Sequence, residues 1–214
     1  MTLLRMKRTA ATPATAILIA LMAFLALTAR AFGQGDEAHP QVVEMALGSE
    51  TAAVQVEEYL SFTCPHCARF HRDVYPQLKA NYIDTGKIRF IAREVYFDRV
   101  ALWAAMLARC GGPDRYFGIA DLLFQRQDDW IRKSDPTEVA NELFRIGRIA
   151  GMTEESMGQC LQDRDMALAM IEVSEAQRTA AGINSTPSLV VDGVNHRSVS
   201  YAELASLIDA ALGD

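Results

Sequence analysis

The chain has 214 residues, half of them hydrophobic, and a formal net charge of −6 at pH 7. This length is enough for one domain with a sizeable buried core. An acidic chain without a run of basic residues argues against a nucleic-acid-binding protein, so we expect no nucleic-acid partner.

The first 31 residues have the pattern of a secretory signal peptide. Three basic residues, Arg5, Lys7 and Arg8, precede an apolar run from Ala16 to Ala29, and Ala29-Arg30-Ala31 offers a cleavage site. The run is shorter than the roughly 20 apolar residues of a membrane span, although an uncleaved anchor stays the alternative. We therefore expect export to the periplasm, a compartment in which disulfides persist.

After this segment the sequence alternates between strand patterns and helix patterns. Strands are expected at Val42 to Gly48 and at Ala53 to Phe62, where β-branched and aromatic residues alternate with others. From Cys64 to Tyr82 the apolar residues recur at helical spacing. A further strand is expected at Lys87 to Phe97.

The middle of the chain is rich in Ala, Leu, Met and charged residues, and it predicts a block of helices. The expected helices cover Val100 to Cys110, Tyr116 to Gln125, Thr137 to Ile149 and Thr153 to Ala180. Asp135 and Thr153 stand at positions that favour N-caps.

Past this block the chain returns to a strand pattern. Ser188 to Val199 predicts a hairpin that turns at Asp192-Gly193, a dipeptide that suits tight turns between strands. Tyr201 to Leu212 then predicts a closing amphipathic helix. The order of elements predicts an α/β protein with a mixed sheet and an inserted helical block.

The sequence CPHC, Cys64 to Cys67, stands where the second strand ends and a helix begins. A structural zinc site needs a second cysteine or histidine pair, and a staple across so short a loop removes little chain entropy. A redox dithiol fits better, because a helix N-terminus stabilises the thiolate of Cys64. Pro65 suits the first helical position, His66 can add a donor or positive charge, and Cys67 becomes the resolving thiol.

CPHC and a second segment, STPSLVVDG from Ser185 to Gly193, resemble the DsbA-like branch of the thioredoxin superfamily. The resemblance covers about residues 40 to 212 and implies a thioredoxin fold, a mixed central sheet flanked by helices, with an inserted all-helical subdomain. After the signal peptide at 1–31, the expected domains are a thioredoxin-fold domain at 32–97 and 182–214 and an inserted helical subdomain at 98–181.

The resemblance also implies roles for residues outside CPHC. Thr186-Pro187 matches the family's cis-proline position, where the loop faces the disulfide and binds substrate backbone. Glu58 matches a buried acidic residue that exchanges a proton with Cys67. Since Glu57 and Glu58 are adjacent in a strand, they face opposite sides, and one of them should point inward. Well-known enteric oxidases have valine where this chain has Thr186, which leaves the strength of the oxidase open.

The implied function is a protein-disulfide oxidoreductase that introduces disulfide bonds into reduced exported polypeptides. A disulfide isomerase or reductase with the same dithiol is the alternative, and a peptide-binding holdase with an incidental CPHC is a rival from another class. The implied partners are the substrate polypeptides and a DsbB-like membrane reoxidant. We expect a monomer with no metal and no cofactor.

The other two cysteines, Cys110 and Cys160, fall in different predicted helices. An oxidising compartment favours a structural disulfide between them, worth up to about 4 kcal/mol in the chain-entropy model. Two buried free thiols and a regulatory couple are the alternatives. His71, on the helix that CPHC begins, is expected at the surface.

Overall fold

The computed structural model describes residues 40–197 and 199–213, so the predicted signal peptide lies outside the described residues. The described strands form one mixed sheet: β1 (Met45–Gly48), β2 (Val54–Leu60), β3 (Ile88–Glu94), β4 (Ser188–Val191) and β5 (Val194–Arg197). Their order across the sheet is β1-β3-β2-β4-β5. The central pair, β2 and β3, is parallel, and the other neighbours are antiparallel.

The sheet register brings the two sequence motifs together. Tyr59 near the end of β2 pairs with Ser188, the first residue of β4. The Thr186-Pro187 loop therefore lies beside the point where β2 leads into CPHC. Because β4 pairs antiparallel with β2, the start of β4 lies beside the end of β2, although the two are far apart in the sequence.

The helices lie around this sheet and mostly between β3 and β4. They are α1 (Pro65–Asp73), α2 (Tyr75–Leu78), α3 (Arg99–Cys110), α4 (Pro113–Gln125), α5 (Gln127–Ile131), α6 (Pro136–Ile149), α7 (Glu154–Leu161), α8 (Arg164–Ala180) and α9 (Tyr201–Leu212). A π-helical turn, Lys79–Ile83, follows α2. The six helices α3 to α8 form the block that the sequence predicts between the two strand regions.

Buried apolar side chains form two large clusters that meet at α1. One joins Leu60 and Met45 of the sheet to the helical block, which contributes Trp130 among others. The other packs β2, β3 and β4 against α9. Helix α1 gives Cys67 to the first cluster and Phe70 to the second. Since each fully buried large side chain contributes about 1.5–3 kcal/mol, α1 is anchored from both sides.

Several predicted elements are confirmed closely, the last hairpin among them. β4 and β5 are joined by Asp192 and Gly193, whose φ angles are +46° and +84°. Two consecutive positive φ angles are typical of the type I′ turn that joins twisted strands. Helix α9 has the predicted bounds, with Ser200 as its N-cap in a capping box with Glu203.

Two predicted helices are each divided in the structure. The helix expected from Cys64 to Tyr82 is interrupted after α1, because Pro76 has no N–H with which to continue the helical ladder. The helix expected from Thr153 to Ala180 separates into α7 and α8. Asp163 begins the second of these, since its side chain accepts a hydrogen bond from the Met166 N–H at 2.9 Å.

Candidate active site

The two cysteines of CPHC lie at the first turn of α1 and differ in exposure. Cys64 is the N-cap residue, with extended backbone, and Pro65 is the first helical residue. Cys64 is partly exposed, whereas Cys67 is fully buried, and neither forms a disulfide. The structure therefore shows the dithiol form of the pair.

Hydrogen bonds to the sulfur of Cys64 favour its anion. They lower the pKa of Cys64 from 9.0 to about 5, and the bond from the Cys67 thiol has the largest effect. Partial burial works in the opposite direction, while the Thr186 hydroxyl and the backbone N–H groups of Cys67 and His66 lower the pKa further. Cys64 is therefore a thiolate at neutral pH.

The environment of Cys67 has the opposite effect. Burial is the main cause that raises its pKa well above 9.0, and the neighbouring Cys64 and Glu58 add to the shift. The backbone N–H of Ser61, 3.5 Å from Cys67 Sγ, opposes it only in part. An accessible thiolate thus stands beside a buried thiol that keeps its proton.

His66 contributes a donor to the Cys64 thiolate through its backbone. Its imidazole lies against a side chain of the next helical turn, with Nδ1 2.5 Å from Arg69 Nη2. The part of His66 that stabilises the Cys64 thiolate is its backbone N–H. The position therefore contributes through the helix N-terminus, as the backbone of any residue other than proline would.

The loop before β4 faces the exposed cysteine. The Thr186-Pro187 peptide bond is cis, and the protonated Cys64 thiol donates a hydrogen bond to the Thr186 carbonyl oxygen at 3.3 Å. A shallow groove of about 210 Å³ lies alongside, lined by His66, Arg69, Phe70, Asp73, Val74, Pro187, Leu189 and Val199. The exposed sulfur therefore adjoins a groove with both apolar and polar walls.

Of the two adjacent glutamates in β2, Glu58 is the one that points inward. Its side chain is fully buried, while Glu57 lies on the other face and accepts a hydrogen bond from Arg93 at 2.7 Å. The predicted surface position of His71 is wrong. Its ring is buried, stacks on Phe124 with centroids 4.2 Å apart, and places Nε2 2.9 Å from Glu58 Oε2.

A signal for the buried position of His71 was present in the sequence. His71 follows Cys67 by four residues, so both lie on the same face of α1. A buried resolving thiol therefore implies that the side chain one turn later is buried too.

The thioredoxin family model matches residues 41–210. The chain belongs to the thioredoxin family. A Rickettsia prowazekii protein named "Putative protein-disulfide oxidoreductase" is 34% identical over 172 residues, which cover 80% of this chain and 62% of that protein. The chain thus spans less than two thirds of the length of that relative.

Other relatives of this thioredoxin-family chain match over most of their length. Disulfide bond formation protein D of Bacillus subtilis is 25% identical over 175 residues, covering 78% of this chain and 76% of that protein. The crystal structure of Wolbachia pipientis alpha-DsbA1 superposes with a TM-score of 0.73 at 28% identity, covering 82% of this chain and 94% of that one. The predicted fold class and the DsbA-like resemblance are confirmed.

Sequence patterns missed one buried residue of this thioredoxin-family site. Gln127, at the start of α5, donates hydrogen bonds from Nε2 to the carbonyl oxygens of Phe62 and Cys64, at 2.8 and 3.0 Å. These bonds tie the helical block to the backbone that presents the thiolate. Helix α5 is only five residues long and was not predicted, so its contact with CPHC was not foreseen.

The second pair of cysteines lies in the helical block. Cys110 at the end of α3 and Cys160 in α7 form a disulfide, with their Cα atoms 6.0 Å apart. This separation is within the usual range for disulfides. The bond connects two helices of the block and leaves the CPHC pair as the free dithiol among the described residues.

Two further features concern metals and membranes. Within residues 40–197 and 199–213, no group of three or more His, Cys, Asp or Glu side chains is placed to hold a metal ion. In that same part of the chain, every helix is too short or too polar to cross a membrane.

Proposed function

We propose that this protein is a protein-disulfide oxidoreductase that introduces disulfide bonds into reduced exported polypeptides. The observation that carries the proposal is the stabilised thiolate of Cys64 beside the buried thiol of Cys67. The thiolate exists only when the pair is reduced, so its stabilisation favours the reduced form. A disulfide whose reduced form is stabilised is a strong oxidant.

In the proposed reaction, a substrate thiolate attacks Cys64 Sγ of the oxidised pair. The Cys64–Cys67 bond breaks, a mixed disulfide forms at Cys64, and Cys67 leaves as a thiolate that takes up a proton. The second substrate thiolate then attacks the substrate sulfur of the mixed disulfide. The substrate disulfide forms, Cys64 leaves as its stable thiolate, and two electrons have passed from the substrate to the protein.

Substrate backbone is proposed to bind beside Thr186 and Pro187. This loop faces Cys64, and the adjoining groove offers apolar and polar contacts to an extended peptide. Pro65 and His66 complete the site, because they form the helix turn whose N–H groups stabilise the thiolate.

The wider setting follows from the same proposal. We place the protein in the periplasm after removal of residues 1–31, as a monomer that a DsbB-like membrane protein reoxidises. Residues 98–181 are proposed as the inserted helical subdomain, 32–97 and 182–214 as the thioredoxin-fold domain, and Cys110–Cys160 as a structural disulfide. The name of the Bacillus subtilis relative, which refers to disulfide bond formation, supports the proposed formation of disulfides.

The second candidate is a disulfide isomerase or reductase that uses the same dithiol, and Thr186 is the residue on which the choice between the candidates depends. The Thr186 hydroxyl lowers the pKa of Cys64 and so affects how strongly the reduced form is favoured over the disulfide form. A weaker preference for the reduced form would favour reshuffling of disulfides over their formation. The choice of residue at this position therefore bears directly on the direction of exchange.

The two candidates differ in what they do to a peptide. The oxidised protein is mixed with a reduced two-cysteine peptide, and the peptide's disulfide is followed by mass after acid quenching. We expect stoichiometric peptide oxidation, with none by Cys64→Ser. If the protein rearranges a wrongly paired four-cysteine peptide but leaves the reduced peptide unoxidised, the isomerase candidate replaces the oxidase.

A further inference from the structure

The buried pair formed by Glu58 and His71 is not accounted for by the thiol chemistry above. One carboxylate oxygen, Oε2, is 2.9 Å from His71 Nε2, and both side chains are almost completely buried. The remaining oxygen, Oε1, and the other ring nitrogen, Nδ1, have no hydrogen-bond partner among the described residues. Buried polar atoms left without partners are uncommon, and they often mark a functional role.

The charged and titratable groups around His71 come from four elements. Glu58 faces it from β2, Asp121 from α4 and the phenol of Tyr75 from α2, while Cys67 precedes it by one turn of α1. Burial alone would lower the pKa of His71, but the negative charges of Glu58 and Asp121 raise it to about 9. His71 therefore holds a proton at neutral pH.

A solvent-accessible cleft lies beyond the ring of His71. Its walls include Asp121, whose side chain is 44% exposed and whose Oδ1 is 3.7 Å from His71 Nδ1. The cleft has a volume of about 350 Å³, which is room for several water molecules at roughly 30 Å³ each. One ring nitrogen of His71 thus faces the buried carboxylate, and the other faces the solvent side.

The chemistry proposed for the dithiol requires a proton to move at Cys67. Each time the Cys64–Cys67 bond breaks, the fully buried Cys67 gains a proton, and each time the bond forms it loses one. Burial separates this sulfur from solvent. Cys67 and His71 lie one turn apart on the same face of α1, and His71 contacts Glu58, so the carboxylate lies on the side of the helix that carries the Cys67 thiol. Its negative charge raises the pKa of Cys67.

We propose that His71 and Asp121 complete a proton relay that connects Cys67, through Glu58, to the solvent-accessible cleft. The inference rests on the proposed function. When the pair is reduced, His71 gives its proton to the Glu58 carboxylate, Glu58 passes this proton to the Cys67 thiolate, and His71 regains a proton from the cleft beside Asp121. Reoxidation sends one proton along the same route in reverse, so one proton is exchanged with solvent at Cys67 in each direction. His71 and Asp121 are positioning residues, because they act through Glu58.

The relay is tested by separating the two steps of the reaction with glutathione disulfide. Reduced protein is mixed with excess glutathione disulfide between pH 5 and 9, quenched in acid, and analysed by mass. Formation of the Cys64–glutathione mixed disulfide reports attack by Cys64. Its conversion to the Cys64–Cys67 disulfide reports deprotonation and attack by Cys67.

His71→Gln can still donate a hydrogen bond to Glu58 but cannot carry a proton. We expect it to slow the second step by about 10- to 100-fold, with accumulation of the mixed disulfide and loss of the pH dependence of that step. Asp121→Asn, at an exposed side chain, should slow the same step by about 3- to 10-fold. The first step should stay within about twofold of wild type in both, since Cys64 does not use the relay.

Arg72→Gln is the matched control, because Arg72 lines the same cleft on the same helix but pairs with Asp73. It should leave both steps unchanged.

The relay is overturned if the second step stays within twofold of wild type in both His71→Gln and Asp121→Asn, or if both steps fall together with the melting temperature. If the wild-type protein does not react with glutathione disulfide, both the proposed function and the relay are contradicted. If the wild-type protein reacts and the variants react as fast as it does, only the relay is contradicted.

Discussion

Cys64 and Cys67 share one helical turn, yet their surroundings shift their pKa values in opposite directions. Hydrogen-bond donors surround the partly exposed sulfur, whereas apolar side chains and a buried carboxylate surround the other. The exposed thiolate can attack or leave readily, while the buried thiol reacts only once it loses a proton. Small changes around either sulfur should therefore change the reaction in a specific direction.

The charge state of Cys64 gives a pH prediction. Thiolate absorbance at 240 nm of the reduced protein should titrate with a midpoint near pH 5, and Cys64→Ala should remove the transition. Because the folded pKa is lowered, its contribution to the stability of the reduced form is present above the unfolded pKa and is lost as pH falls through about 5. A midpoint near pH 8.5, the value of a free cysteine, would contradict this environment.

Thr186 should tune the potential through its hydroxyl. Thr186→Val removes a donor to the thiolate, and hydrogen bonds to charged groups contribute about 1.5–3 kcal/mol. We expect the potential of the pair to fall by about 30–60 mV, since about 30 mV corresponds to 1.4 kcal/mol. Thr85→Val, whose hydroxyl donates to helix carbonyls away from the site, is the control in the same glutathione equilibration. An unchanged or higher potential would refute this role.

At the scale of elements, the site depends on contacts that local sequence patterns do not contain. The hairpin at Asp192-Gly193 and helix α9 were predictable, because turn chemistry and amphipathic spacing are local properties. The burial of His71 depends on Phe124 of α4, and the role of Gln127 depends on a five-residue helix without a clear period. Such features follow from packing between distant segments, so the pattern of a single sequence indicates them only weakly.

The link between α5 and the CPHC loop gives a stability prediction. Gln127→Ala leaves the Phe62 carbonyl without its buried donor and removes one of the donors to the Cys64 carbonyl. Urea unfolding should show a loss of about 1–3 kcal/mol in the free energy of unfolding. The exposed Gln125→Ala serves as the control and should stay within about 0.5 kcal/mol of wild type. Equal stability of the two variants would mean that the bonds from Gln127 do not hold the loop.

At the scale of the whole molecule, the sheet brings together what the sequence separates. Pairing of β2 with β4 places the Thr186-Pro187 loop beside Cys64, although the helical block lies between them in the chain. The order of strands and helices was predictable, and the thioredoxin-family match agrees with it. The helix boundaries inside the block were harder to predict, because Asp163 begins a new helix within one continuous helical pattern.

The disulfide of the helical block gives a prediction at this scale. Replacing Cys110 and Cys160 together by serine opens a loop with a sequence separation of 50. The free energy of unfolding should fall by up to about 4 kcal/mol, measured by urea denaturation of both proteins with Cys64 and Cys67 reduced and blocked. A stability equal to that of wild type would show that the bond does not stabilise the fold.

The central claim, that the Cys64–Cys67 pair is an oxidant, is tested most directly by its redox potential. The protein without residues 1–31 is equilibrated in glutathione buffers, its thiols are trapped by alkylation, and each cysteine pair is read separately by mass. The stabilised thiolate predicts a potential of about −120 mV, typical of a strong dithiol oxidant. A potential at or below about −200 mV would contradict the oxidase and point to isomerase or reductase activity.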